Sequence, residues 1–160
     1  MGNVLADVLD PAEALYPGGP SKAQGNDPVG DENFRSAMDK MNLTPQEQYL
    51  YKMHLTNLTG KGGVDNPDGS RSSLYQTVQE HEGRFYNIPT VWNGKIETEK
   101  FTNKAGKVFD VANKTALDNV DKIGWDKFPS YATAEEADSR YDEMHSYMEK
   151  DTARYLQSRH

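Results

Sequence analysis

The segment from Gly83 to Lys95, GRFYNIPTVWNGK, is the densest apolar run in an otherwise polar chain, and it limits what that chain can build. Phe85, Tyr86, Ile88, Val91 and Trp92 crowd together around Pro89. A proline has no amide hydrogen to give to a sheet ladder, so the run must take an edge position or break at 89. Before it, Leu74, Gln76, Val78 and Glu80 fall on one parity and Tyr75, Thr77 and Gln79 on the other, the period of a strand. His81-Glu82-Gly83 then reverses the chain, which makes the apolar run the return strand of a hairpin, and Asn93-Gly94 marks a further turn after Trp92. In this reading alternate residues of 84–92 pack inward, and the others, with the Pro89 edge, face a partner.

The rest of the chain supplies little apolar material. Of 160 residues 35% are hydrophobic and the mean hydropathy is −0.89, enough for one compact core smaller than the whole chain. From Met1 to Met41 the breakers Pro11, Pro17, Gly18, Gly19, Pro20, Gly25, Pro28 and Gly30 interrupt any period, so residues 1–41 read as an extended arm. Within it Leu5, Val8, Leu9, Ala12 and Leu15 have helical spacing, too short a piece to be stable without a surface to dock on.

Beyond the arm the helix signals are explicit. Thr44, Pro45 and Glu47 form a capping box with proline at the first helical position, and Leu50, Tyr51, Met53, Leu55 and Leu58 make the stripe of a helix over 45–59 that Gly60 stops. Asn66-Pro67-Asp68-Gly69 is a turn. After Lys95 the chain reads as polar until KVFDVANKTALDNVDKIG, residues 107–124, where Ala112, Ala116, Val120 and Ile123 keep the spacing of a second helix and Gly124 ends the run. Thr133 and Glu136 form another capping box, and Ala137, Tyr141, Met144 and Met148 continue a helix over 134–156. The expected fold is α+β: a β-hairpin or three-stranded antiparallel sheet packed on about three helices, spanning 42–160 behind the arm.

Composition also excludes chemistry. With no cysteine, disulfides, thiolate catalysis and cysteine-ligated zinc are ruled out. A net charge of −7 with acids and bases interspersed argues against a site for nucleic acid phosphates. No stretch has the roughly 18 consecutive apolar residues of a membrane span. His54, His81, His145 and His160 are scattered without metal-ligand spacing, so neither a metal nor another cofactor is expected. Glu80-His81-Glu82 alternates across a strand, and the acids Glu135, Glu136, Asp138, Asp142 and Glu143 read as a solvated face. His145 and Glu149 make an ordinary i,i+4 surface pair. Gly60-Lys61-Gly62-Gly63 lacks the spacing of a phosphate loop, and there is no nucleophile elbow, so no nucleophile, base and orienter stand at recognisable spacing. The aromatic residues, 10% of the chain, serve core and interface packing.

Three blocks, GGVDNPDGSRSSLYQ, RFYNIPTVWNGK and FPSYATAEEADSRYDEMHSYMEKD, resemble a module of virion proteins of tailed bacteriophages, found inside long internal or tail polypeptides or alone. The resemblance covers roughly residues 47–151 and brings no catalytic signature. It implies a non-enzymatic structural or assembly component, made in the host cytoplasm and residing in the virion as a capsid or tail accessory subunit. Its partners would be other virion proteins, capsid, connector or tail subunits, or copies of itself. The residues expected to hold them are Leu5, Val8, Leu9, Leu15 and Tyr16 of the arm and Phe85, Ile88, Pro89 and Trp92 of the hairpin. Two alternatives stay open: a virion-carried cell-wall-degrading enzyme using acids such as Glu80 and Glu82, and a host-takeover binding protein that never enters the particle.

Overall fold

A computed structural model describes residues 32–159, and the expected helices and hairpin are all present in it. In chain order the described elements are α1 (Glu32–Met41), α2 (Pro45–Thr59), β1 (Val64–Asp65), β2 (Arg71–Ser72), β3 (Thr77–His81), β4 (Arg84–Ile88), β5 (Val91–Trp92), β6 (Lys95–Ile96), β7 (Thr98–Thr102), β8 (Val108–Ala112), α3 (Lys114–Ile123), a 3-10 turn (Trp125–Lys127), β9 (Ser130–Tyr131) and α4 (Ala134–Ser158). The fold is α+β. Strands β3, β4 and β9 make an antiparallel sheet in the order β3-β4-β9, and β1–β2, β5–β6 and β7–β8 are separate two-stranded pairs.

The capping box at Thr44 closes as its sequence implies: the Glu47 amide donates to Thr44 Oγ1 at 3.1 Å and the Thr44 amide to Glu47 Oε1 at 3.0 Å. Helix α2 is then buried along a broad face, with Leu50, Tyr51, Met53, Leu55 and Leu58 all fully buried. The longest helix, α4, lies across α2 and α1 and contributes Met144 and Met148 to the same core. The β3–β4 turn places Glu82 at φ 49° and Gly83 at φ 81°, and the β5–β6 turn places Asn93 at φ 53° and Gly94 at φ 77°. Paired positive φ values suit the twist of two-residue hairpins, and glycine at the second position adopts them without a Cβ clash.

Two expectations are corrected. Residues 32–41, read as the end of the arm, form α1 and belong to the core: Phe34, Ala37 and Met41 are buried, and the Phe34 ring meets Tyr51 edge-on at 5.1 Å. Their spacing is helical, but the breakers upstream mask it. Residues 96–106, read as merely polar, and 107–112, read with the helical run that follows, instead hold a second ribbon, with β7 and β8 paired from Thr98↔Ala112 to Thr102↔Val108. Asn103 Oδ1 closes that ribbon by accepting the amides of Ala105 and Lys107, both at 2.9 Å.

Because Phe34 is 3% exposed, Phe34→Ala is expected to lower the stability of the full chain by about 3 to 5 kcal/mol in a urea melt. A loss under about 0.5 kcal/mol, the size of an ordinary surface substitution, would return residues 32–41 to the arm.

Candidate functional site

The hairpin residues expected to face a partner are mostly internal. Ile88, Pro89, Val91 and Trp92 are buried together, so alternation stops where Pro89 breaks the strand. The Trp92 indole donates to the carbonyl of Pro89 at 3.1 Å, satisfying its one polar group inside the core. Of the four hairpin positions only Phe85 is partly accessible. Leu5, Val8, Leu9, Leu15 and Tyr16 lie outside the described residues.

What the run does instead is pin a loop. The Thr90 amide donates to the Leu74 carbonyl at 2.8 Å, the Val91 amide to the same oxygen at 3.2 Å, and Thr90 Oγ1 to the Tyr75 carbonyl at 2.6 Å. On the other side Asn57 of α2 donates its side-chain amide to the Ser73 carbonyl at 2.8 Å. Three successive carbonyls, at Ser73, Leu74 and Tyr75, are thereby held from two directions. The grip keeps Tyr75 in the left-handed region at φ 45°.

Below this loop lies a buried polar network that the sequence reading does not find. Asp151 on α4 is fully enclosed, and its carboxylate accepts the Tyr51 hydroxyl at 2.7 Å and the Asn33 side-chain amide at 2.8 Å. His54 Nε2 stands 3.3 Å from Asp151 Oδ2, and His54 Nδ1 stands 2.6 Å from Ser73 Oγ. Burial, then the adjacent Asp151 charge, push the Tyr51 phenol well above its ordinary value, so it remains a proton donor to that carboxylate. Since a carboxylate only accepts, Nε2 of a neutral ring carries the hydrogen and Nδ1 is left to accept from the serine hydroxyl. The chain Asp151, His54, Ser73 ends at a cleft of about 510 Å³ between the pinned loop and α4. Ser73 and Tyr75 line it from the loop, Tyr141, Met148 and Leu156 from α4, and His54 from α2.

Separate from the cleft, a second buried carboxylate ties the start of α2 to α4. Glu47, 2% exposed, receives the Arg140 guanidinium as a fork, Nε to Oε2 at 2.9 Å and a terminal nitrogen to Oε1 at 2.7 Å, and the Tyr131 hydroxyl at 2.7 Å. Burial raises the Glu47 pKa, but the bonds from Arg140, the Thr44 amide and Tyr131 outweigh it, so the carboxyl is held below its ordinary value.

The remaining titratable candidates are dispersed. His81 stacks on Trp125 with ring centres 4.1 Å apart and planes 6° apart, while Glu80 and Glu82 point to solvent. His145 and Glu149 make an exposed contact at 3.7 Å. In the turn after Asn66, the Asp68 carboxylate is occupied by the Ser70 amide at 3.0 Å and hydroxyl at 2.6 Å. Among the described residues no three of His, Asp and Glu converge to hold a metal, and no helix is long and apolar enough to cross a membrane.

A second surface stands out by exposure. Residues 104–109 are exposed throughout, and in the paired β7–β8 ribbon Phe101 is 49%, Phe109 39% and Val108 55% accessible. Phe101 and Phe109 are cross-strand partners in edge-on contact at 5.3 Å, and Val108, next in the strand, points to the opposite face. The sequence reading passes over both phenylalanines because the lysines and acids around them hide the alternation. Comparison of the chain with family models, with curated proteins and with solved structures finds no match.

Two expectations follow. Trp92→Ala should cost about 3 to 5 kcal/mol in a denaturant melt, the usual loss for a buried aromatic; a change under about 0.5 kcal/mol would put the indole at an interface instead. For Glu47 the folded pKa lies below the ordinary 4.5, so its contribution is fully present above that pH and disappears as pH falls through the lowered folded value. Stability measured from pH 7 to pH 2 should therefore fall less in Glu47→Gln than in the parent over the acid limb. Equal slopes would refute the assignment.

Proposed function

We propose that this chain is a structural or assembly component of a tailed-bacteriophage virion that binds neighbouring particle proteins. Two lines support the reading. The three sequence blocks that resemble the virion module fall within one α+β domain, where they form the β1–β2 turn and pinned loop, the β4–β6 run, and β9 with α4.

The observation that carries the binding role is the outer half of the β7–β8 ribbon. It presents two contacting phenylalanines on one face and a valine on the other, all open to solvent. Aromatic side chains supply large contact area with few rotatable bonds, and clustered exposed aromatics mark sites where another surface excludes water. The occupant is a neighbouring virion protein. Within this reading the apolar residues Leu5, Val8, Leu9, Leu15 and Tyr16 provide a second contact.

The test is incorporation. Phe101→Ser with Phe109→Ser, built into the phage genome, should deplete the protein from purified particles. Loss of an interface hot spot of about 2 kcal/mol weakens binding some 30-fold. The melt of the isolated variant should stay within about 0.5 kcal/mol of the parent, as for other exposed positions. Absence of the parent protein from purified virions, or full incorporation of the double variant, would overturn the reading.

A further inference from the structure

We propose that Ser73 is an activated nucleophile, with His54 as its general base and Asp151 orienting that base, and that the cleft above it accepts an uncharged ester with an apolar or aromatic acyl group. The inference goes beyond the assembly role and does not depend on it.

The three side chains come from separate elements: His54 from α2, Ser73 from the loop between β2 and β3, and Asp151 from α4. Their order in space is that of a proton relay. Ser73 Oγ is 2.6 Å from His54 Nδ1, inside the reach at which a base can take a hydroxyl proton, and the far ring nitrogen faces Asp151 at 3.3 Å. Compared with the usual serine, histidine and aspartate arrangement the two ring nitrogens exchange roles, but the proton path is the same. Asp151 is itself fixed by Tyr51 and Asn33, so the ring is held in one tautomer and one orientation. That leaves the basic nitrogen aimed at the serine.

Access separates this relay from a purely internal network. His54 is 1% exposed and Asp151 fully buried, so the pair is held inside the fold, whereas Ser73 is only partly buried and, with the edge of the His54 ring, borders the cleft. A cavity near 510 Å³ is in the range that holds a small organic ligand. Tyr75, Tyr141, Met148 and Leu156 offer apolar surface to an acyl chain beside the polar His145, Glu149 and Thr152, and the nearby Arg71 guanidinium, already engaged by Asp65 and by the carbonyls of Asn57, Leu58 and Gly60, leaves no strong partner for an acyl carboxylate.

The chemistry is an acyl transfer. Ser73 Oγ bonds to the ester carbonyl carbon as its proton passes to His54 Nδ1. The carbonyl carbon to alkoxy oxygen bond then breaks, and the same proton goes to the departing alkoxide, which leaves as an alcohol. Water next attacks the acyl-serine carbonyl carbon as its proton passes to Nδ1; the carbon to Oγ bond breaks, the proton returns from Nδ1 to Oγ, and a carboxylic acid and the free serine are released. No electrons are gained or lost overall.

The experiment uses the purified full chain and a fluorophosphonate probe, read by intact mass and peptide mapping, together with p-nitrophenyl acetate hydrolysis. A single adduct on Ser73 and an initial burst of p-nitrophenol matching the chain concentration are expected. Ser73→Ala should abolish both. His54→Gln should slow labelling by about 100-fold or more, the usual share of a general base. If His54→Gln fails to fold, the mapped adduct and its loss in Ser73→Ala still decide. No adduct on the parent, an adduct elsewhere, or labelling that survives unchanged in a folded His54→Gln variant overturns the proposal. None of these outcomes depends on particle incorporation, so the two readings fail separately.

Discussion

Helix α2 is buried along a broad face, and that one constraint organises the domain. A charged or amide side chain on that face is costly to leave without a partner, because an unpaired buried group costs about 1 to 3 kcal/mol and a charge more. Glu47, His54 and Asn57 are all buried on it. Each therefore has to be met from another element: Glu47 by Arg140 and Tyr131, His54 by Asp151 and Ser73, Asn57 by the Ser73 carbonyl. Packing alone would hold α4 against α2. These bonds set its register.

The same contacts that satisfy α2 also shape the surface. Asn57 and Thr90 grip the loop at Ser73–Tyr75 from opposite sides, and the fixed loop makes one wall of the cleft. A serine hydroxyl on that loop reaches His54 only because its backbone cannot drift. The fold thus separates two regions: a rigid, hydrogen-bonded cleft against α4, and the open outer half of the β7–β8 ribbon. That ribbon is anchored by the Tyr75 hydroxyl on Asp110, which Lys100 meets across the ribbon, while its far end makes no such demand on the core. An apolar tip on an anchored ribbon suits a contact with another protein, and a pinned cleft suits a small ligand.

Trp125 completes the packing on the other side of the sheet. Its indole donates to Asp121 at 2.6 Å and its face covers His81, so the imidazole at the hairpin tip is stacked on one side while its Nε2 stands 3.4 Å from the exposed Glu82 carboxylate. Glu80 and Glu82 are exposed at this tip, in keeping with the alternation of strand neighbours between opposite faces.

The sequence by itself determined the local elements whose causes are local. The Thr44 and Thr133 caps, the Asn93-Gly94 and Asn66–Gly69 turns, the stripe of α2 and the hairpin about Glu82-Gly83 each depend on residues a few positions apart, and each is present. Tertiary structure decided the rest. Helix α1 is short and weakly signalled, and it is held by burial of Phe34 and Met41 against α2 and α4. Ile88, Pro89 and Trp92 looked half-exposed because alternation was extended past a proline; their burial depends on a loop and helices that no local period encodes. The relay was illegible for the same reason. Ser73, His54 and Asp151 are separated by 19 and 97 positions from one another through His54, and no spacing rule links them. They meet because a buried histidine on α2 had to find partners, and the packing of α4 and the pinned loop supplied a carboxylate on one side and a hydroxyl on the other.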